Sequence, residues 1–64
     1  MKKKVMTLKE VAQYLKMSES GIRKLVREKQ IPFFRVGYRI YFEENAINEW
    51  IEIKEKQEKR TILF

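Results

Sequence analysis

Between Thr7 and Lys29 the apolar residues recur at helical spacing twice, with a break of only a few residues between the two runs. Leu8, Val11, Ala12 and Leu15 occupy i, i+3, i+4 and i+7 of one helical face, and Thr7 with Glu10 three residues later is a capping box that starts that helix. After Lys16 and Met17, Ser18 offers a second N-cap, and Ile22, Leu25 and Val26 form a second apolar face. At about 100° per residue, Ser20, Arg23, Lys24 and Arg27 project from the side of this second helix opposite Ile22 and Val26. Pro32 disfavours helical backbone at Ile31, so the second helix is expected to stop near Lys29 or Gln30.

From Phe33 to Phe42 the period changes to two, on both sides of Gly37. This predicts a hairpin whose turn uses the positive φ that glycine permits. Phe34, Val36, Ile40 and Phe42 are assigned to the core, with Arg35 and Arg39 sharing the exposed side. A lone ribbon is barely stable, so its apolar face must rest on the helices. Glu43-Glu44-Asn45 opens a last helix with acids in its first turn, and Ala46, Ile47, Trp50 and Ile51 are its buried face, with Ile53 marginal. Lys54 to Arg60 carries i, i+3 and i, i+4 ion pairs and no apolar seam, which predicts an exposed helix. The predicted order is one domain over residues 1–64: a basic arm at 1–6, helices at 7–16 and 18–30, a hairpin at 33–42, a helix at 44–60 and an apolar tail at 61–64. Val5 or Met6 is placed to pack back on the first helix as a hydrophobic staple. The tail, Thr61-Ile62-Leu63-Phe64, folds back on the core, frays, or touches a partner protein.

At 64 residues the chain holds a single, marginally sufficient core, and it contains no Cys, no His and no Asp. A disulfide staple, a zinc finger and a His-based general base are therefore excluded, and no metal or cofactor is expected. Net charge is +6, unevenly spread: residues 1–42 hold eleven Lys/Arg against three Glu, whereas residues 43–64 hold four against six. A cationic front on a small domain points to a polyanion, most often nucleic acid. No apolar segment follows Lys2-Lys3-Lys4 that would make a targeting signal, and no run is long enough to span a membrane, so a cytoplasmic, nucleoid-associated protein without membrane contact is expected. Tyr14, Tyr38 and Tyr41 have no base or metal beside them to make any of them a nucleophile, and the domain is too small to enclose a site, so no enzymatic role is expected.

Two short helices joined by a tight turn, the second presenting Ser at its start and Arg or Lys outward, is the layout of a DNA-reading helix-turn-helix, and a hairpin docked behind it is a wing. On that layout Arg23 and Arg27 are the candidates for bidentate contact with guanine edges. Lys24 is a phosphate ligand, and Ser18 and Ser20 are helix caps placed to meet a phosphate as well. Arg35 and Arg39 are wing contacts, and Tyr38 at the tip either reaches sugar or phosphate or is an ordinary turn residue. Trp50 is assigned to the core, and Phe33 either packs under the wing or stays partly exposed. No set of exposed aromatics suggests an RNA-stacking platform.

The residues Thr7-Leu-Lys-Glu-Val-Ala-Gln-Tyr-Leu, Ser18, Ile31-Pro32, Arg35-Val36-Gly37-Tyr38-Arg39-Ile40, Phe42 and Asn48-Glu49-Trp50-Ile51 together resemble the excisionase-type winged helix-turn-helix, a branch related to the MerR DNA-binding domain. The resemblance covers roughly residues 7 to 51. It implies a mostly helical fold with a small hairpin, the second helix in the major groove and the wing along the neighbouring minor groove or backbone. It places Ser18 and Ser20 by a phosphate, Gly21, Arg23, Lys24 and Arg27 on the reading helix, and Arg35, Gly37, Tyr38 and Arg39 on the wing. Two positions depart from the family pattern. Lys16 stands where the turn often has Gly, so it either takes a left-handed conformation at about 1 kcal/mol or the turn differs. Gly21 stands where Thr is common; it either lets the helix start approach DNA closely or marks the absence of base contacts there. The resemblance further implies a recombination directionality factor, whose copies bind tandem repeats on double-stranded DNA, touch head to tail, bend the duplex and assist a site-specific recombinase (integrase). With no a/d repeat in Lys54 to Arg60, a monomer off DNA is expected. The alternatives are a small MerR-like transcriptional regulator and a protein-protein adaptor docking through the last helix and tail.

Overall fold

The computed structural model describes residues 4–62, with side chains through residue 58. Its order is β1 (Val5–Thr7), α1 (Leu8–Leu15), α2 (Glu19–Arg27), β2 (Phe34–Val36), β3 (Arg39–Glu43) and α3 (Glu44–Ile62). The three strands form one antiparallel sheet in the order β1-β3-β2, so the hairpin is widened by a strand from the start of the chain. Three helices with such a sheet make a winged helix-turn-helix.

The first correction concerns residues 1–6, expected to be a basic arm. Val5–Thr7 is a strand, and Met6 faces Phe42 across the ladder. The reason is that β3, paired only to β2, would leave a row of unpaired backbone groups on its other edge, and Val5–Thr7 fills it. Met6 is buried in the same cluster as Val11, in the place a hydrophobic staple would use. The Glu44 N–H donates to the Lys4 carbonyl at 3.0 Å, and the Lys4 ammonium lies 3.8 Å from the Glu44 carboxylate, so this segment is also tied to the start of α3. The expected contributions of Lys2 and Lys3 lie outside the described residues.

Helix α1 begins as the sequence dictates: Thr7 Oγ1 accepts the Glu10 N–H at 3.2 Å and Glu10 Oε1 accepts the Thr7 N–H at 2.9 Å. It ends on Lys16 in the left-handed conformation, φ 58°, with Met17 N–H donating to the Ala12 carbonyl and Lys16 N–H to that of Gln13. This pair of bonds is a Schellman ending, a position that glycine normally fills. The turn is therefore of the ordinary type, and Lys16 adopts its strained conformation. We expect Lys16→Gly to stabilise the protein by about 0.5–1 kcal/mol in urea unfolding, the relief of about 1–2 kcal/mol of left-handed strain offset by the freer unfolded chain.

Helix α2 is capped by Ser18, whose Oγ accepts the Gly21 N–H at 3.1 Å. It stops at Arg27, short of the expected Lys29 or Gln30, because a second Schellman pair closes it: Lys29 has φ 55°, Gln30 N–H donates to Leu25 at 2.8 Å, and Lys29 N–H to Val26 at 3.0 Å. The stop thus comes from Lys29, before Pro32 has any effect, and it drops Ile31 into the core at 4% exposure.

The hairpin is a second correction. Phe34 pairs with Tyr41, Arg35 with Ile40 and Val36 with Arg39 across a two-residue connection, Gly37-Tyr38. Gly37 has φ 64° and Tyr38 a negative φ, the arrangement of a II′ turn. Residues paired across an antiparallel ladder share a face, and the two-residue turn pairs even positions with odd ones. Phe34 and Val36 therefore share the outer face with Arg39 and Tyr41, while Arg35 shares the inner face with Ile40 and Phe42. Phe34 and Val36 are 41% and 59% exposed, against the core assignment, and only Phe42 of the expected four is fully buried. The Phe34 and Tyr41 rings lie 6.0 Å apart on that outer face.

The core consists of Met6, Val11, Ala12, Ile22, Val26, Ile31, Phe42 and Ile47, with Leu8, Leu15, Leu25, Phe33, Ile40, Trp50 and Ile51 packed around it. Phe33 is half-buried under the wing. In α3 only Ile47 of the expected apolar face is fully enclosed; Ala46, Trp50 and Ile51 are half-buried. Trp50 sits at the rim because its indole N–H must reach a partner, and it donates to the Gln30 carbonyl at 2.8 Å, clamping α3 to the end of α2. Tyr14 performs a similar task at the other side, its hydroxyl donating to Asn48 Oδ1 at 2.6 Å. Ile53 is 55% exposed, and residues 54–58 beyond it are exposed as well. The helix continues to Ile62, past the expected end at 60; the expected packing of Ile62, Leu63 and Phe64 lies outside the described side chains.

Candidate nucleic-acid interface

Helix α2 is amphipathic: Ile22 and Val26 point into the core while Ser20, Arg23, Lys24 and Arg27 are exposed. Its start is held by the Ser18 cap, and the Ser18 and Ser20 hydroxyls lie 3.3 Å apart at that end. Backbone N–H groups of a helix start attract phosphate, and two hydroxyls beside them add donors. Gly21 is half-buried and turned about 100° away from Ser20, toward the Leu25 side. A Cβ there would lie 3.2 Å from Ser18 Oγ and 3.3 Å from Met17 Cε. Its place in the chain is explained by the cap it must leave room for.

Arg23 and Arg27 flank a groove that runs between α2 and the inner face of the hairpin, with Lys29 and Arg35 also on its walls and Val26, Phe33 and Ile40 as its apolar floor. The Arg35 guanidinium stands over the Phe33 ring, 5.8 Å from its centroid. Lys24 lies one position further round the helix, exposed and outside that groove. Arg39, expected beside Arg35, is on the other face of the ribbon next to Val36, because paired positions share a face. Tyr38, 92% exposed, and Gly37 form the tip.

The structure thus brings Arg23, Arg27 and Arg35 around one depression and sets Arg39 and Tyr38 at the far edge of the wing. Within the described side chains none of the four groove cations has an ion-pair partner, so their charge is free to meet an anion. Sequence reasoning missed Lys29 and Phe33 as parts of this surface. No local signal marks Lys29, because the left-handed conformation by which it ends α2 is one that propensity reserves for glycine; for Arg35 the signal was the parity of a two-residue turn.

A family model described as a helix-turn-helix domain matches residues 5–53, which takes in β1, both helices of the motif, the wing and the first half of α3. The chain belongs to that family. It is the excisionase-like family of helix-turn-helix domains, and membership supports DNA as the partner. The match begins at Val5, consistent with β1 being an integral strand of this helix-turn-helix domain. The chain matches no curated protein and no solved structure. No helix among the described residues of this helix-turn-helix protein is long and apolar enough to cross a membrane.

Proposed function

We propose that this helix-turn-helix protein is an excisionase, a recombination directionality factor that performs no chemistry of its own. Helix α2 enters the major groove with Arg23 and Arg27 toward base edges and Lys24 toward a phosphate, while the wing, through Gly37, Tyr38 and Arg39, follows the adjacent minor groove. The observation that carries the reading is the gathering of Arg23, Arg27 and Arg35 around one groove along the C-terminal half of α2, all unpaired within the described side chains. A single module of this size covers roughly 600–1,000 Å² of DNA and binds weakly alone. Copies on tandem repeats, touching head to tail, supply the missing affinity, bend the duplex and present it to a site-specific integrase.

The test is selection of binding sites from a random duplex pool, followed by titration on one, two and three copies of the selected site. We expect direct repeats and an apparent affinity per site that rises with each added copy. Recovery of a palindrome bound by a two-fold dimer would instead indicate a MerR-like regulator. Equal affinity for one and three copies would sink the cooperative model.

A further inference from the structure

The groove between α2 and the hairpin has a make-up that base reading alone does not call for. Its walls carry Arg23, Arg27, Lys29 and Arg35, and its floor is Val26, Phe33 and Ile40. A base edge needs a bidentate donor facing it, and an isolated phosphate needs converging donors with no apolar floor. A strand backbone alternates anionic phosphates with the apolar faces of sugar rings, and that alternation matches charged walls over an apolar floor.

We propose that this groove seats the sugar–phosphate backbone of one DNA strand, with Lys29 and Arg35 as its phosphate ligands and Phe33 as the residue that positions Arg35. The inference rests on the DNA-binding reading and adds two residues, Lys29 and Phe33, to it. Deoxyribose faces lie against Phe33 and Ile40, and the ring under the guanidinium at 5.8 Å holds Arg35 toward the phosphates. The strand so held lies between the part of the protein in the major groove and the wing in the minor groove, so both are kept in register by one clamp. Lys29 offers a way to separate folding from binding, because its φ of 55° is relaxed by glycine. Lys29→Gly removes the ammonium while easing the helix ending.

The experiment measures the affinity of the full chain as a function of salt on a short mixed-sequence DNA duplex, on the matching RNA duplex, and on the DNA duplex with inorganic phosphate as competitor at constant ionic strength. We expect Lys29→Gly to melt at or above the wild-type temperature and yet to show a log affinity against log salt slope shallower by about one unit. Arg35→Gln gives a similar loss, the double variant about two units, and preference among competing DNA sequences is unchanged. Phe33→Leu lowers the slope toward that of Arg35→Gln, and Phe33→Tyr restores it. Wild-type slopes in both Lys29→Gly and Arg35→Gln, with normal binding by the parent, would overturn the groove assignment alone. So would displacement of DNA by inorganic phosphate, which would make the groove a simple anion site, or equal affinity for the RNA duplex, whose A-form grooves have different widths. A parent protein with no salt-dependent affinity for duplex DNA would overturn the DNA-binding reading itself.

Discussion

Phe42→Ala is expected to leave the protein largely unfolded at room temperature. Phe42 is fully buried on the central strand, which packs against α1 and α3, and it lies opposite Met6 of β1, so its removal opens a cavity that three elements border. Truncating a buried Phe costs about 3–5 kcal/mol. A core of this size supplies roughly that much net stability. Far-UV circular dichroism with urea and thermal unfolding is the measurement; a cooperative transition within about 1 kcal/mol of the parent would show that the core is centred elsewhere. Phe34→Ala is the matched control, since 41% of that side chain is exposed on the outer face. Its cost should stay near 1 kcal/mol or below. Had the four hairpin apolar residues shared one face, the two substitutions would have comparable effects.

The largest effect on binding is expected from Arg23→Ala, about 1–3 kcal/mol, or roughly five- to 150-fold in affinity on a selected site, with relaxed preference at one base position. Arg23 is exposed on α2 at the wall of the groove, with no ion-pair partner within the described side chains, so nothing but the lost contact should change. Arg23→Lys should recover charge but not discrimination, because an ammonium lacks the planar fork that fits a guanine edge. Lys24→Ala is expected to behave differently, lowering affinity evenly over all sequences and reducing the salt slope by about one. Fluorescence anisotropy on matched and single-substituted duplexes separates the two patterns. If neither substitution alters affinity or salt dependence, the reading face has been assigned to the wrong side of the helix.

The two-helix motif was legible because its signals are local: the Thr7–Glu10 box, the Ser18 cap and the spacing of Val11, Ala12, Ile22 and Val26 each decide a structure within one or two turns. What stayed hidden depends on pairing between distant segments. Val5 and Met6 read as the end of a basic arm until β3 is seen to have a free edge for them. The faces of Phe34, Val36 and Arg35 depend on whether the turn at Gly37 uses an even or an odd number of residues, and alternation read straight through the turn gives the wrong parity. The same error hid the groove, because it placed Arg35 beside Arg39 instead of over Phe33. Spacing puts Trp50 on the buried face of the last helix with Ile47, whereas its N–H decides its position at the rim of the core. Lys16 and Lys29 show the limit of propensity in the other direction: each holds a helix ending that glycine would fill with less strain.

The bond from Trp50 to the Gln30 carbonyl gives the molecule an optical reporter of its own. The chain has a single tryptophan, with the Lys54 ammonium 5.8 Å from its ring centre, and its indole is moored to the peptide that follows α2. Any tilt of that helix as it settles on a duplex pulls on this mooring and changes the polarity around the chromophore, so emission wavelength records the seating of the helix without a dye or a tag.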